Sequence, residues 1–323
     1  MTTQTAGPPE AAPRDKVMEL DAAIAAHVHD GDTICPEGFG HLIPFAAAHE
    51  IIRQGRRGLT LVRMTPDLIA DQLIAADCVD RLVASFFASG SAGSLHEVRR
   101  RIQHHDPRPL EVEEWTHGQM AARYSAGATG APFLPVHSGV GSDLFEVNPM
   151  LRSVEDPYGG GRVAVVPPIR PDVTILHAQR ADRLGNVQLW GITGIQPEAA
   201  YAGRRTIVTV EEIVEPEVVR SDPNRTLIPA HAVTAVVPVP RGAHPSYVQG
   251  YYQRDNAFYR EWEAISKDRS RLLAWLDEWV HGVVDRAAYV QRLGEERWAS
   301  VRLDPRPAAP VDYGRTPRNG GAA

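Results

Sequence analysis

Short β-rich runs alternate with helical ones along most of this chain, and that alternation limits the fold more than any other feature. Leu59 to Val62 precedes a helical run from Leu68 to Ala76, Arg81 to Phe86 precedes Ser94 to His104, and Leu110 to Glu113 precedes His117 to Ala128. A helix between two strands carries the chain back so that the next strand runs the same way. The pattern therefore predicts an α/β fold with an open, mostly parallel sheet covered by helices. Further strands are expected at Thr33 to Cys35, Pro132 to Val136, Val163 to Val166, Val173 to His177, Thr206 to Val210 and Ala232 to Val236. Between them, Asp143 to Gly161 reads as a long connection of the kind that serves function or contacts a partner. The final third is helical: Asn256 to Lys267, Ser270 to Val283 and Arg286 to Ser300 carry Trp262, Trp275, Trp279, Tyr289 and Trp298 at helical spacing. These aromatics are expected to pack against the sheet or a second chain. Residues 1–15 and 304–323 are rich in Pro, Ala, Gly and Arg without apolar periodicity, and are expected to be mobile tails around a folded part spanning 16–303.

Composition removes several classes of function. With 43% hydrophobic and 23% charged residues the chain has the balance of a soluble globular protein. No apolar run is long enough to span a membrane, and Met1 to Pro13 lacks the basic start and apolar core of a leader, so a cytoplasmic location is expected. A net charge of −6 with only short arginine clusters, Arg56-Arg57 and Arg99-Arg100-Arg101, argues against nucleic acid; these clusters read as solvated faces. Cys35 and Cys78 are too few for a disulfide framework and have no companions at metal-ligand spacing. No metal site is expected.

Two glycine turns stand out. Glu37-Gly38-Phe39-Gly40-His41 lies between the strand at Thr33 to Cys35 and a helix from Phe45 to Arg53 that Pro44 opens. Glycines on either side of an aromatic let backbone approach a ligand and leave the first amides of the helix unpaired. The turn is either a binding site for a carboxylate, phosphate or acyl oxygen or a tight connection. Gly139-Val140-Gly141-Ser142 follows the run Pro132 to Val136, again at the carboxyl end of a strand, where open sheets bind ligands. His177 and Gln179 share one face of their strand, as core hydrogen bonders or as ligand contacts. Glu211-Glu212 reads as structural carboxylate, with an acid–base pair as the alternative, and His104-His105 as a helix terminus. No nucleophile elbow, metalloprotease His pair or phosphate loop is present.

Taken in order, several segments resemble class I coenzyme A transferases, most closely the A (alpha) subunit of glutaconate CoA-transferase. They are Ala23 to Asp32, Ala131 to Val136, Pro171-Asp172-Val173 through His177-Ala178-Gln179 to Gly185-Asn186-Val187, Thr206 to Ile213, and Gly242-Ala243-His244-Pro245-Ser246. The resemblance implies an alpha-type chain that forms a heterodimer or heterotetramer with a beta-type subunit. The active site would lie between them, and CoA would be exchanged between an acyl-CoA and a small carboxylic acid. It also implies a glutamyl-CoA intermediate on the beta subunit, coenzyme A as substrate, and no permanently bound cofactor. On this view Gly38, Phe39, Gly40, His41, Gly139, Gly141, Ser142, His177 and Gln179 line the substrate and CoA site. Glu37 stands where the family has glycine, and is either a catalytic carboxylate facing the ligand or one tied to loop amides. Two alternatives remain on the same scaffold. One is a ring- or 1,3-dicarbonyl-cleaving acyl-CoA hydrolase, whose acid would fall near Trp115 to Gly118, where this chain has His117. The other is a non-catalytic acyl-CoA-binding subunit.

Overall fold

The computed structural model describes residues 14–88 and 93–303, so the expected tails fall almost wholly outside the described residues. In chain order the elements are α1 (Leu20–His27), β1 (Thr33–Pro36), α2 (Phe45–Arg53), β2 (Leu59–Val62), α3 (Asp67–Ala75), β3 (Val79–Ala84), α4 (His96–Gln103), β4 (Glu111–Glu114) and α5 (His117–Thr129). Then follow β5 (Leu134–Val136), α6 (Leu144–Val147), β6 (Arg152–Glu155), β7 (Arg162–Val166), β8 (Val173–Asp182), β9 (Val187–Gln188), α7 (Gln196–Ala202), β10 (Arg205–Val214), α8 (Pro216–Ser221), β11 (Thr226–Ile228) and β12 (Ala235–Pro238). The chain closes with α9 (Asn256–Lys267), α10 (Arg269–Leu276), a π turn (Asp277–His281), α11 (Arg286–Leu293) and α12 (Glu295–Ser300).

The body is a nine-stranded sheet whose parallel part runs β4-β3-β2-β1-β8-β10-β12, with β9 antiparallel to the far end of β8 and β11 antiparallel to β9. On one face lie α2 and α3, nearly every residue of which is buried. A helix buried all round needs cover on both sides, and α9 and α10 supply the second. Trp262 donates its indole N–H to Asp71 at 3.2 Å, and Trp275 meets the ring of His49 edge-on at 6.0 Å. The C-terminal aromatics are thus an outer layer of this chain's own core. On the opposite face, Met120 and Tyr124 of α5 pack with Cys35, Val62 and Val83 and with the antiparallel sheet β5-β7-β6.

Several expectations need correction. The Asp143 to Gly161 segment is not a bare connection, since it holds α6 and the strand β6. That strand is an edge strand of largely exposed residues, so it lacks the apolar alternation that marks a strand in sequence. The strand from Val173 runs on to Asp182, twice the expected length, because its polar second half is paired along β10. Arg101 is no solvated residue: it is fully buried and pairs with Asp77 at 3.0 Å. The run Arg286 to Ser300 breaks at Gly294, whose φ of 85° leaves helical geometry.

Asp71 is the most exposed to pH among these contacts. Burial, assisted by the nearby Glu97, pushes its carboxyl from the ordinary 3.8 up to about 7, against the opposing bonds from the Val98 amide and Trp262. Between about pH 4 and 7 the folded chain retains a proton that the unfolded chain has released, so this contribution to stability falls as pH rises. Asp71→Asn is expected to raise the thermal midpoint by several degrees at about pH 8, and by less at about pH 5, in melts of the purified protein.

Candidate active site

Strand order reverses between β1 and β8, and open α/β sheets bind ligands outside the carboxyl ends of the strands at such a point. Here β8 outruns β1: β1 pairs only with Val173 to Ile175, while β8 continues along β10. The Glu37 to Leu42 turn fills the resulting notch, and the Glu37 amide donates to Ile175 O at 3.1 Å.

Arg63, fully buried at the end of β2, fixes this turn. Its Nη1 donates to Pro36 O, its Nη2 to Gly38 O at 2.8 Å and its Nε to Thr65 O at 3.0 Å. Glu37 turns inward and is 3% exposed. Its Oε1 accepts from the Met64 amide at 2.9 Å and from the Tyr124 hydroxyl at 2.6 Å, and its Oε2 from the Gly38 amide at 3.2 Å. Cys35 lies 3.3 Å from the same hydroxyl, and burial followed by the Glu37 charge raises its thiol pKa well above the ordinary range. It is an inert packing group.

Gly38 and Gly40 are required for different reasons. A Cβ on Gly38 would stand 2.6 Å from Leu42 O and 2.8 Å from His41 O, so the turn closes too tightly for any side chain. Gly40 has open space around it but a φ of 65°. The amides of Phe39, Gly40 and His41 find no acceptor among the described residues, and the Phe39 ring is 46% exposed. Phe39 is exposed and Gly40 half-buried, so two unpaired donors lie at the surface beside an apolar ring, while His41 is fully buried.

His41 has a fixed tautomer. Its Nε2 accepts from the Gln249 amide at 3.0 Å, so Nδ1 carries the proton and donates to Ile192 O at 2.9 Å. Burial lowers its pKa to about 4, which keeps the ring neutral. His177 and Gln179 are fully buried on the floor beneath the turn. His177 bonds Thr209 Oγ1 at 2.8 Å and Glu211 Oε1 at 2.9 Å, and Gln179 donates to Trp190 O at 2.8 Å. Glu211 is itself buried, also accepting from the Tyr252 hydroxyl at 2.9 Å and the Arg241 amide at 2.7 Å.

The second glycine turn follows β5, which belongs to the small antiparallel sheet and not to the main one. The start of α5 nonetheless ties it to the main sheet's carboxyl edge. Thr116 Oγ1 bonds Ser138 Oγ at 3.0 Å and Gln119 Nε2 donates to Ser138 O at 2.9 Å, directly before Gly139. Gly141 has a φ of 77°, and the exposed Ser142 bonds back to Gly139 O at 2.8 Å. Along the same edge Ser85, at the end of β3, bonds Met64 O and His117 Nδ1, both at 2.8 Å. Sequence reasoning passed over Arg63, Tyr124 and Ser85. Each acts through a contact distant in sequence, and no local pattern marks it.

Several exposed apolar side chains belong to this edge: Phe39 and Val140 in the two glycine turns, Phe86 beside His117, Ile192 beside His41, and Val147 next to Asn148, which bonds Glu114 O at the end of β4. Two hollows, of about 990 and 630 Å³, lie elsewhere, one beside Arg53, Arg241 and Arg286 and one beside Trp275, Trp279 and Leu293. Among the described residues no group of His, Cys, Asp or Glu could hold a metal ion, and no helix is long and apolar enough to cross a membrane.

Comparisons with known proteins agree with this architecture. The family model described as Coenzyme A transferase matches residues 17–238. The A subunit of the 3-oxoadipate CoA-transferase of Pseudomonas knackmussii is 48% identical over 87% of this chain and 99% of its own length. The A subunit of the glutaconate CoA-transferase of Acidaminococcus fermentans is 35% identical over 90% of this chain and 95% of its own, and the crystal structure of that transferase superposes with a TM-score of 0.84, covering 90% of this chain and 96% of that one. The cholesterol ring-cleaving hydrolase IpdA subunit of Rhodococcus jostii is a more distant relative, 28% identical over 88% of this chain and 98% of its own. The chain belongs to the coenzyme A transferase family and is an A-type (alpha) subunit within it.

The two glycines give a discriminating test. Gly38→Ala is expected to lower turnover of the assembled enzyme by about 10²-fold, since its Cβ displaces the amide donors. Gly40→Ala adds about 1 kcal/mol of backbone strain and a smaller loss of rate. Steady-state kinetics beside thermal melts would show the two patterns.

Proposed function

We propose that this chain is the alpha subunit of a CoA-transferase, active only with a beta-type partner, that moves CoA between an acyl-CoA and a carboxylic acid. The observation that carries this is the 48% identity to the A subunit of a 3-oxoadipate CoA-transferase across 99% of that protein's length. That relative's name also favours dicarboxylic acids of the 3-oxo type as substrates.

The chemistry would begin on a glutamate of the partner. Its carboxylate oxygen attacks the thioester carbonyl and CoA leaves as thiolate, giving an acyl-glutamyl anhydride. The thiolate then attacks the glutamyl carbonyl, releases the first acid and leaves a glutamyl thioester. An incoming carboxylate repeats the exchange in reverse, forming the new acyl-CoA and regenerating the glutamate. Each step makes one acyl bond and breaks one, so a difficult exchange is divided into easier ones. The unpaired amides of Phe39 and Gly40 would donate to the carbonyl oxygen as it gains charge, and each such donor is worth about 10²–10³ in rate. Glu37 and Arg63 would act by holding the turn, His177 and Gln179 by fixing its floor, and the Gly139 to Ser142 turn by lining the far side.

The partner would cover the apolar residues around the turn. Phe39 is 46% exposed and Val147, next to Asn148 at the end of β4, 70%, which is unusual for large apolar side chains on one edge. Co-expressed with a beta-type subunit, the chain is expected to co-elute with it and to transfer CoA only when an acceptor acid is present. Consumption of acyl-CoA without acceptor would instead indicate a hydrolase. Val147→Asp is expected to weaken pairing about 10-fold or more without changing the circular dichroism of the chain alone.

A further inference from the structure

We infer that Thr65, Ser85 and His117 form the subsite that receives the remote carboxylate of a dicarboxylic substrate, with His117 as the residue that sets specificity. The inference rests on the CoA-transfer reading and adds to it the groups that select the acid. The three residues follow β2, β3 and β4 in turn, on the carboxyl edge that begins at Glu37. Neighbouring strands stand about 4.8 Å apart, so the end of β3 lies roughly 10 Å from the turn at β1. That is the reach of a short dicarboxylate whose near end sits at the Phe39 and Gly40 amides.

The edge is continuous through a single residue. The Met64 amide donates to Glu37 Oε1 at 2.9 Å, and Met64 O accepts from Ser85 Oγ at 2.8 Å. A carbonyl can only accept, so the Ser85 proton is committed there. Ser85 Oγ must then accept from His117 Nδ1–H, 2.8 Å away. This leaves Nε2 as the outward nitrogen of an exposed ring. Among the described residues its one hydrogen-bonding neighbour is the Thr65 hydroxyl, at the limiting separation of 3.5 Å. With Nδ1 held as a donor, Nε2 of the neutral ring bears a lone pair, so a carboxylate is received there together with one proton from solvent, on a ring whose two N–H groups then point at Ser85 and at the ligand, with the Thr65 hydroxyl alongside. The Phe86 ring, 42% exposed, stands edge-on to His117 with centroids 6.3 Å apart, a flank for the methylenes between the two carboxylates. The nearby acid Glu113 is occupied by Arg81, Arg123 and the Trp115 indole and does not compete for His117.

The test uses the complex of this chain with its beta-type partner and two acceptors of equal length, adipate and hexanoate. In His117→Leu the ratio of kcat/KM for adipate to that for hexanoate is expected to fall about 10- to 100-fold, as loss of one charge-assisted hydrogen bond requires, with the change carried by KM. His117→Gln, which keeps one donor, should recover part of the ratio. Adipate binding, followed by calorimetry on the same complexes, needs no turnover. Binding that His117→Leu abolishes, in a complex that transfers CoA to neither acid, would overturn the transfer reading and retain the subsite. CoA transfer with the same adipate-to-hexanoate ratio in wild type and His117→Leu would overturn the subsite and leave the transfer reading standing.

Discussion

One buried guanidinium holds the switch point together. Arg63 spans three carbonyls on two chain segments, Pro36 and Gly38 after β1 and Thr65 after β2. A planar fork of five donors can do this, whereas an ammonium on a flexible stem cannot. Removing such a charge from water costs several kcal/mol, so its surroundings must return that in carbonyl dipoles and nearby anions. Burial raises the Asp67 carboxyl pKa, and the Leu68 amide followed by Arg63 holds the rise back. The two turns therefore move as one body, and the remaining edge hangs from it: Met64 on Glu37, Ser85 on Met64, His117 on Ser85.

Beneath this body the floor is polar yet fully paired. β8 extends past β1, so His177 and Gln179 emerge where an ordinary strand would already have ended. Their partners come from Thr209, Glu211 and the Trp190 loop, and His41 closes the arrangement by bridging Ile192 and Gln249. Buried polar groups paired in this way resist rearrangement, because breaking any one bond leaves an unsatisfied group in a low-dielectric interior. A rigid floor keeps the outward amides aimed without reorganisation during reaction, which is what makes such donors effective.

Much of this fold was legible in the sequence, and the exceptions share a physical cause. The strand–helix alternation gave β1 to β4 with their helices because each element has one apolar period and local punctuation, such as Pro44 before α2. The polar half of β8 and the exposed edge strand β6 had no apolar signal to read. Their pairing is decided by β10 and β7, which lie elsewhere in the chain. The Glu37 to His41 turn was visible through its glycines. Its hidden supports, Arg63 and Tyr124, were not, since an arginine or tyrosine in a sequence carries no sign that it will be buried against a turn 25 or 87 residues away. The aromatic residues of the C-terminal helices were expected against the sheet or a second chain, and this chain buries them itself, Trp262 and Trp275 with α2 and α3 and Trp298 in a second cluster. Among the uncovered apolar groups are Val147, Met150 and Tyr158, in a segment whose sequence reads as a loop.

The state of the acids near the edge bears on where a nucleophile can come from. An attacking carboxylate needs a free lone pair and room to close on a carbonyl carbon. Glu37 has both oxygens occupied beneath the turn. Glu211 is held by His177, Tyr252 and the Arg241 amide, and Glu113 by Arg81, Arg123 and Trp115. Each accepted hydrogen bond withdraws charge from the oxygen and would have to break before attack. These three acids stabilise structure for the same reason that they are poor nucleophiles. What the chain presents outward at the switch point is the complement of a nucleophile: amide donors, an apolar ring and a hydroxyl–imidazole row, all suited to receiving a carbonyl or carboxylate oxygen. A surface composed of acceptor-seeking groups can orient an acyl group and stabilise charge on it, and a carboxylate brought by a second subunit would complete the reaction.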